Sequence, residues 1–374
     1  MRKLRKTCLK EGDFKGAGIL DMVAQGAAWP PSRRAAIGAG VSPLCEFCCK
    51  ESEGTIRHQV WCCPKILAGI GGVREETKHL EEPARAASSV DEPAARRRWA
   101  AGVPPAECEA FWLRGILPKA GTGPLRDLLV AGEPDHVTIG HLSPEERITI
   151  SRRKYGVVVT IGSDGSGGEH GTDPRLRRVG WSWAALKSCG EVVGGISGGL
   201  NGNQAQTVPR SELFAAVHFL THVTVIGEVL VEMFIDNLYV VNALHELIAG
   251  WRPSGKTVHG DLWDLLLEDE LAMSYLTYGT IRIYKIKSHL SVEQAIAAGY
   301  SRIAWEANQV ADDMADKGAA RAQFSPGDVR LIGQLDSAAE AVGRRLLAVG
   351  RFVAEHRTVE ERTEKAKVPP LRQR

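Results

Sequence analysis

The chain has 374 residues, 44% of them hydrophobic and 25% charged, which is ordinary for globular protein and long enough for two domains. No run of about 18 apolar residues occurs, so no membrane span is expected, and no apolar core follows the basic N-terminus, so secretion is not expected. A formal net charge of +2 is too small to argue for nucleic acid by itself. Basic residues nevertheless cluster at Arg2, Lys3, Arg5, Lys6 and Lys10, at Arg96-Arg97-Arg98 and at Arg152-Arg153-Lys154. Solvated faces and phosphate contacts are both open to them.

Residues 1–40 are basic and then Gly/Ala-rich, with Pro30-Pro31 as a breaker, and are expected to be poorly structured. Residues 41–66 hold a cysteine cluster. Residues 67–153 are rich in Ala, Arg, Glu and Pro with weak periodicity, and read as a partly disordered linker with short helices. The pattern changes at 154. Strand-like runs at 155–163, 178–186 and 190–197, separated by Gly-rich turns, predict an antiparallel meander. Pro209 starts a helix carrying Leu213, Val217, Leu220 and Val223 at helical spacing. A strand at 228–236, a helix at 238–248 closed by Gly250, and a helix over Asp261 to Met273 follow. Then come an alternating strand over Ile281 to Lys287 and a helix at 306–321. Hairpin strands followed by strand–helix alternation predict an α/β fold, a mixed five-stranded sheet flanked by helices. The remainder, 322–374, has one helix near 334–354 and a charged tail read as disordered.

Four acidic residues occupy informative places. Asp164 ends the run Val157-Val158-Val159-Thr160-Ile161-Gly162-Ser163, and Asp236 ends a second apolar run. Glu212 opens the helix after Pro209, and Asp312 lies at the start of the last helix of the region. A carboxylate at the end of a buried strand is costly unless it is paired or binds a metal. Four of them converging would form a cage for hard divalent cations. Two such ions roughly 3.5–4 Å apart are a recurring device for phosphodiester hydrolysis.

The fragments Asp164-Gly165-Ser166, Arg210-Ser211-Glu212-Leu213, Asp236-Asn237, Asp261-Leu262-Trp263, Ser288-His289 and Asn308-Gln309-Val310-Ala311-Asp312 occur in that order on the matching element types. With them, 154–321 resembles the type I ribonuclease H domain, and more closely the versions carried by retroelements. The resemblance implies a ribonuclease H-like fold and cleavage of the RNA strand of RNA–DNA hybrids with two Mg2+ or Mn2+ ions. It implies that Asp164, Glu212, Asp236 and Asp312 bind these ions, which generate the attacking hydroxide and stabilise the leaving oxygen. His289, on the loop after the last strand, is implied to assist proton transfer or product release. Asp313 is expected to be a solvated neighbour of Asp312.

Substrate contacts are expected at Gly165, Ser166, Gln206 and Asn237, and at Trp251 and Lys256 in the loop Trp251-Arg252-Pro253-Ser254-Gly255-Lys256. Two features depart from the family. The segment from Leu290 to Glu306 is longer than in compact members. Val208 and Pro209 stand where side-chain amides usually help read the RNA strand. A non-catalytic nucleic-acid-binding remnant that retains the fold is the alternative reading. A 3′–5′ exonuclease is disfavoured, because such enzymes typically carry Asp-x-Glu where this chain has Asp164-Gly165-Ser166.

Five of the eight cysteines fall between 45 and 63, and disulfides are not expected in a reducing compartment. Cys45, Cys48, His58 and Cys63 have a Cys-x2-Cys-x9-His-x4-Cys spacing suited to one Zn2+. Cys49 and Cys62 are spare thiols, and unliganded reduced cysteines are the other possibility. With Trp61, the spacing resembles the small zinc motif that follows the reverse-transcriptase domain of non-long-terminal-repeat retroelements. Zinc motif, linker and ribonuclease H domain in this order resemble the C-terminal end of a retroelement polyprotein. No Tyr-x-Asp-Asp sequence is present, so DNA synthesis is not expected. The expected partner is an RNA–DNA hybrid or other nucleic acid, in nucleus or cytoplasm, with no membrane association.

Overall fold

The computed structural model describes residues 1–28, 30–48, 52–85, 98–99, 102, 104, 108–117, 136–139, 148–254 and 257–356. Cys49, Arg96, Arg97, Lys256 and the charged tail from 357 onward lie outside the described residues. The chain divides into two compact units, Met1–Leu129 with Pro326–Arg374, and Val130–Ser325. No helix among the described residues is long and apolar enough to cross a membrane.

In the first unit, residues 1–40 are helical rather than poorly structured: helices span Arg2–Lys10, Phe14–Ala24 and Pro31–Ala36. The second is capped by Asp13, whose Oδ1 accepts the Gly16 N–H at 2.8 Å. Cys8, Ala17, Ile19, Leu20 and Val23 form a buried row in one core with Val342, Leu346 and Val349. Those last residues belong to a helix over Pro326–His356, longer than the 334–354 expected. The partners stand more than 300 positions apart, and helices of six to eleven residues are too short to read by periodicity. The start of the expected linker also packs, as helices Pro64–Gly69, Gly71–Thr77 and Glu81–Arg85.

The second unit contains a six-stranded mixed sheet flanked by helices, the α/β architecture expected. Its strands are β1 (Val137–Ile139), β3 (Val158–Ser166), β4 (Gly180–Lys187), β5 (Val192–Gly199), β7 (Leu230–Ile235) and β8 (Ile281–Lys285), in the order β1-β5-β4-β3-β7-β8. β3, β4 and β5 form the antiparallel meander, while β7 and β8 add in parallel beside β3. The five expected strands are joined by β1, a short edge strand from the stretch read as linker. A separate parallel pair, β2 (Ile148–Ser151) with β6 (Val223–Ile226), comes partly from the same stretch.

The pleat sorts the strands onto two faces. Val159, Ile161, Trp181 and Trp183 share a core with Leu213, Val217 and Leu220 of the helix Val208–His222. Ala184 and Leu186 pack on the opposite face with Ala307 and Met314 of the helix Arg302–Ala322. Three expectations shift. The helix over Asp261 to Met273 is two helices, Gly260–Glu268 and Glu270–Thr277, broken at Asp269, which caps the second through the Ala272 N–H. The last helix of the unit begins at Arg302, so Asp312 lies in its middle rather than at its start. Strand β3 continues to Ser166, so Asp164 lies within it rather than at its end.

Candidate active site and Cys/His cluster

Asp164 and Ser166 occupy the row of β3 that faces the Arg302–Ala322 helix. Asp164 pairs in register with Ser182, whose hydroxyl donates to the Ala311 carbonyl of that helix at 2.5 Å. Glycines on both sides let helices press against this strand. A Cβ at Gly162 would lie 2.1 Å from the Ala307 carbonyl oxygen, and one at Gly165 would lie 2.6 Å from the Glu212 nitrogen. The second approach brings Glu212 to the end of the sheet. Arg210, two residues earlier, is buried and forms a bidentate ion pair with Asp261, one bond at 2.9 Å, tying the Glu212 helix to the helix Gly260–Glu268. Asp236 follows β7, where Asn237 turns the chain by accepting the Tyr239 and Val240 N–H groups.

Carboxylate oxygens of Asp164, Glu212 and Asp236 lie within 4.8 Å of one another. Asp312 lies close enough to Asp164 to raise its pKa but is not among the three acids whose oxygens come within 4.8 Å of one another, while Asp313 is exposed. Burial and then the neighbouring Asp236 charge push the Asp164 carboxyl up to about 8. Burial, and then the charges of Asp164 and Asp236, drive Glu212 well above its ordinary range. Glu212 Oε2 and Asp236 Oδ1 are buried without hydrogen-bond partners. Crowded acids with unpartnered inward oxygens are costly alone and suited to a hard divalent cation.

The remaining expected residues divide. Ser166 Oγ donates to Asp316 Oδ1 at 2.5 Å, beside an open cavity of about 490 Å³ lined also by Gly167, Gly168 and Glu169. Gln206 is turned into the protein: its carbonyl oxygen accepts the Val179 N–H at 3.1 Å, and its amide donates to the Asn201 carbonyl at 2.9 Å. Trp251 is half-buried, edge-on to Trp263 at 6.2 Å. His289 is exposed with φ of 55°, and is not among the acids brought together. The long segment after it folds into a short helix, Val292–Ala297, with a Ser291/Gln294 capping box.

Sequence reasoning missed Lys285. It continues the buried row of Ile281 and Ile283 on β8, opposite Ile235, and half-buried Nζ donates to the Asp236 carbonyl at 2.6 Å and to the Ile286 carbonyl. A lysine in the third place of an apolar row was the available signal.

In the first unit, one ligand atom from each of Cys45, Cys48, His58 and Cys63 lies within 4.8 Å of the others. Cys45 and Cys63 sulfurs are 3.8 Å apart, and Cys48 Sγ is 3.2 Å from His58 Nε2. A tetrahedral site with zinc–sulfur bonds of about 2.3 Å has sulfur–sulfur edges of about 3.8 Å. The local fold explains the spacing. The Cys45 N–H bonds the Ser52 carbonyl, closing a small turn. His58–Cys62 form a π-helical turn closed by the Cys63 N–H on the His58 carbonyl at 2.7 Å. In an α-helix, residues five apart diverge by about 140°; the wider turn brings His58 and Cys63 to one side.

Burial, then hydrogen bonding with Cys45, pushes the Cys48 thiol up to about 12, and burial also raises Cys63. Burial lowers His58, keeping its imidazole neutral and available as a ligand. A cation would displace the thiol protons. Cys62 is exposed. Trp61, buried beside the cluster, donates to the Trp112 carbonyl at 3.1 Å and lies 4.5 Å beneath the Arg345 guanidinium. Arg345, fully buried, donates to the Val60 carbonyl, Thr77 Oγ1 and Glu81 Oε1 at 2.7–2.9 Å.

No protein-family model and no curated protein matches the chain. Among solved structures, it is similar to the solution structure of the PFV RNase H domain, at 19% identity over 43% of this chain and 94% of that chain, with a TM-score of 0.32. It is similar to prototype foamy virus protease-reverse transcriptase at 18% identity, covering 43% of this chain, with a TM-score of 0.32; the match spans 20% of that longer chain. It is also similar to LC9-RNase H1, a type 1 RNase H with the type 2 active-site motif, at 13% identity over 48% of this chain and 84% of that chain, with a TM-score of 0.28.

Proposed function

We propose that the second unit is a metal-dependent endonuclease that hydrolyses the RNA strand of RNA–DNA hybrids, from the C-terminal part of a retroelement reverse-transcriptase polyprotein. The observation that carries this reading is the convergence of Asp164, Glu212 and Asp236 within 4.8 Å, with Asp312 beside Asp164. The acids come from a strand, a helix, a strand end and a second helix, so the sheet holds them independently of any ligand. Two magnesium or manganese ions, when bound, would supply Lewis acidity to the attacking water and the leaving oxygen. Asp164, central in the cluster, would orient both. Glu212 and Asp236 offer the unpartnered inward oxygens, and Asp312 closes the side towards its helix. Ser166, Gly167 and Gly168 line the adjoining open cavity, where a polynucleotide backbone would lie. For the first unit we propose one zinc ion on Cys45, Cys48, His58 and Cys63, with a role in local stability.

The test is cleavage of a labelled RNA–DNA hybrid with and without magnesium, by the full chain and by Asp164→Asn. Magnesium-dependent cleavage lost in the variant is expected. Hybrid binding without cleavage in the wild type would favour a non-catalytic remnant, and equal cleavage by both proteins at saturating magnesium would remove the assignment of the acids.

A further inference from the structure

Lys285 is unlike the other groups around the acidic cluster. Asp164 and Asp312 reach the site from one face of the sheet, and Glu212 reaches it from the other. Lys285 shares the Glu212 face, because its strand row continues Ile281 and Ile283, which pack in the core with Leu213 and Val217 of the Glu212 helix. Its Nζ is anchored on the Asp236 and Ile286 carbonyls. Burial lowers its pKa below the ordinary lysine value, and the charges of Asp236 and Glu212 offset only part of that. The lysine head group is thus held on backbone carbonyls next to two crowded acids, whose Glu212 Oε2 and Asp236 Oδ1 have no hydrogen-bond partner.

We propose that Lys285 is an internal counter-cation of the acidic cluster. Its fixed charge steadies Glu212 and Asp236 in the metal-free protein and weakens the hold of this side of the cluster on a divalent ion. Lys285 is thus a positioning residue that keeps one metal exchangeable. Turnover needs such an ion, since one held too firmly would also hold the cleaved phosphate. This inference rests on the metal-binding reading above.

The experiment is Mn2+ binding to the zinc-loaded full chain, followed by electron paramagnetic resonance, with Asp164→Asn identifying the ions held by this cluster. Lys285→Gln removes the charge while keeping an N–H donor for the carbonyls. A unit charge several ångströms from a divalent ion, screened as in water, weakens binding by about tenfold. Lys285→Gln is therefore expected to bind Mn2+ about tenfold more tightly than the wild type. Lys285→Arg should stay within about twofold, since the charge is kept. The metal-free Gln variant should also melt at lower temperature than the wild type, with the difference closing as Mn2+ is added. Lys285→Met is a second neutral variant should the first not fold. Unchanged or weaker binding in the neutral variants, with wild-type binding intact, overturns the role of Lys285 and leaves the metal site standing. Wild-type protein with no Mn2+ that Asp164→Asn removes overturns the metal site, and this proposal with it.

Discussion

The two clusters are built in opposite ways. The acids stand at 164, 212, 236 and 312, and come together because a sheet with a core on both faces aligns their elements. The Cys/His group stands within residues 45–63 and is shaped by one turn and one π-helical turn. The acidic site is a load placed on a scaffold that folds by hydrophobic burial. The cysteine site is part of its scaffold, since Cys45, Val60, Trp61 and Cys63 lie in the same core as the helices that pack the first unit. Metal should therefore matter to chemistry in one unit and to folding in the other.

Four experiments would break or sharpen that contrast. The largest effect is expected from withdrawing zinc. Binding to structural Cys/His sites is worth about 10 kcal/mol or more in small domains. A zinc chelator, or Cys45→Ser, should abolish protection of the first unit in hydrogen exchange while the sheet of the second stays protected. Equal loss in both units, or none in either, would end the comparison.

Asp164→Asn should do the converse. Hybrid cleavage should fall at least about 10³-fold, equivalent to about 4 kcal/mol in the barrier. Above pH 8, where the Asp164 carboxyl is ionised, the metal-free melting temperature should be unchanged or higher, because a neutral side chain relieves repulsion with Asp236. A lower melting temperature would mean that the acid supports the fold.

Arg345→Ala probes the first unit away from its cysteines. Burial alone would raise Glu81, yet Arg345, by hydrogen bond and charge, holds it below the usual carboxylate range. Breaking a buried pair from one side costs about 3–5 kcal/mol. Urea unfolding should show a loss of that order, in zinc-loaded protein as well. Less than about 1 kcal/mol would reduce the pair to the worth of a surface one.

The smallest effect concerns pH. His218 is buried, its Nδ1 accepts the Trp183 indole N–H at 3.2 Å, and it stacks on His222 at 4.0 Å. Burial, with His222 and His136 adding to it, lowers its pKa to about 3. The folded value lies below the unfolded one of about 6.5, so its contribution is fully present above pH 6.5 and is lost as pH falls towards 3. Between pH 8 and pH 5 the second unit should lose about 2 kcal/mol from this residue. His218→Gln should flatten that slope; an identical slope would place the acid sensitivity elsewhere.

Local pattern determined much of this protein. Apolar runs ending near Asp164 and Asp236, the Pro209 helix start and the Gly250 stop are signals of neighbouring residues, and the strands and helices formed close to where those signals stand. The cysteine spacing was legible for the same reason, as the whole cluster spans 19 positions. What the chain order concealed was everything set by partners far away. The helices Arg2–Lys10 and Phe14–Ala24 exist because a helix beginning at Pro326 packs over them. Local sequence did not show that Gln206 bonds inward to the Val179 N–H or that Trp251 packs against Trp263, because both depend on partners far along the chain or across the fold. Lys285 looked like one more polar residue in an alternating strand. Its meaning came only from the register that set β8 beside Asp236, because whether a charge is solvated or sits among carboxylates depends on what the fold brings to it.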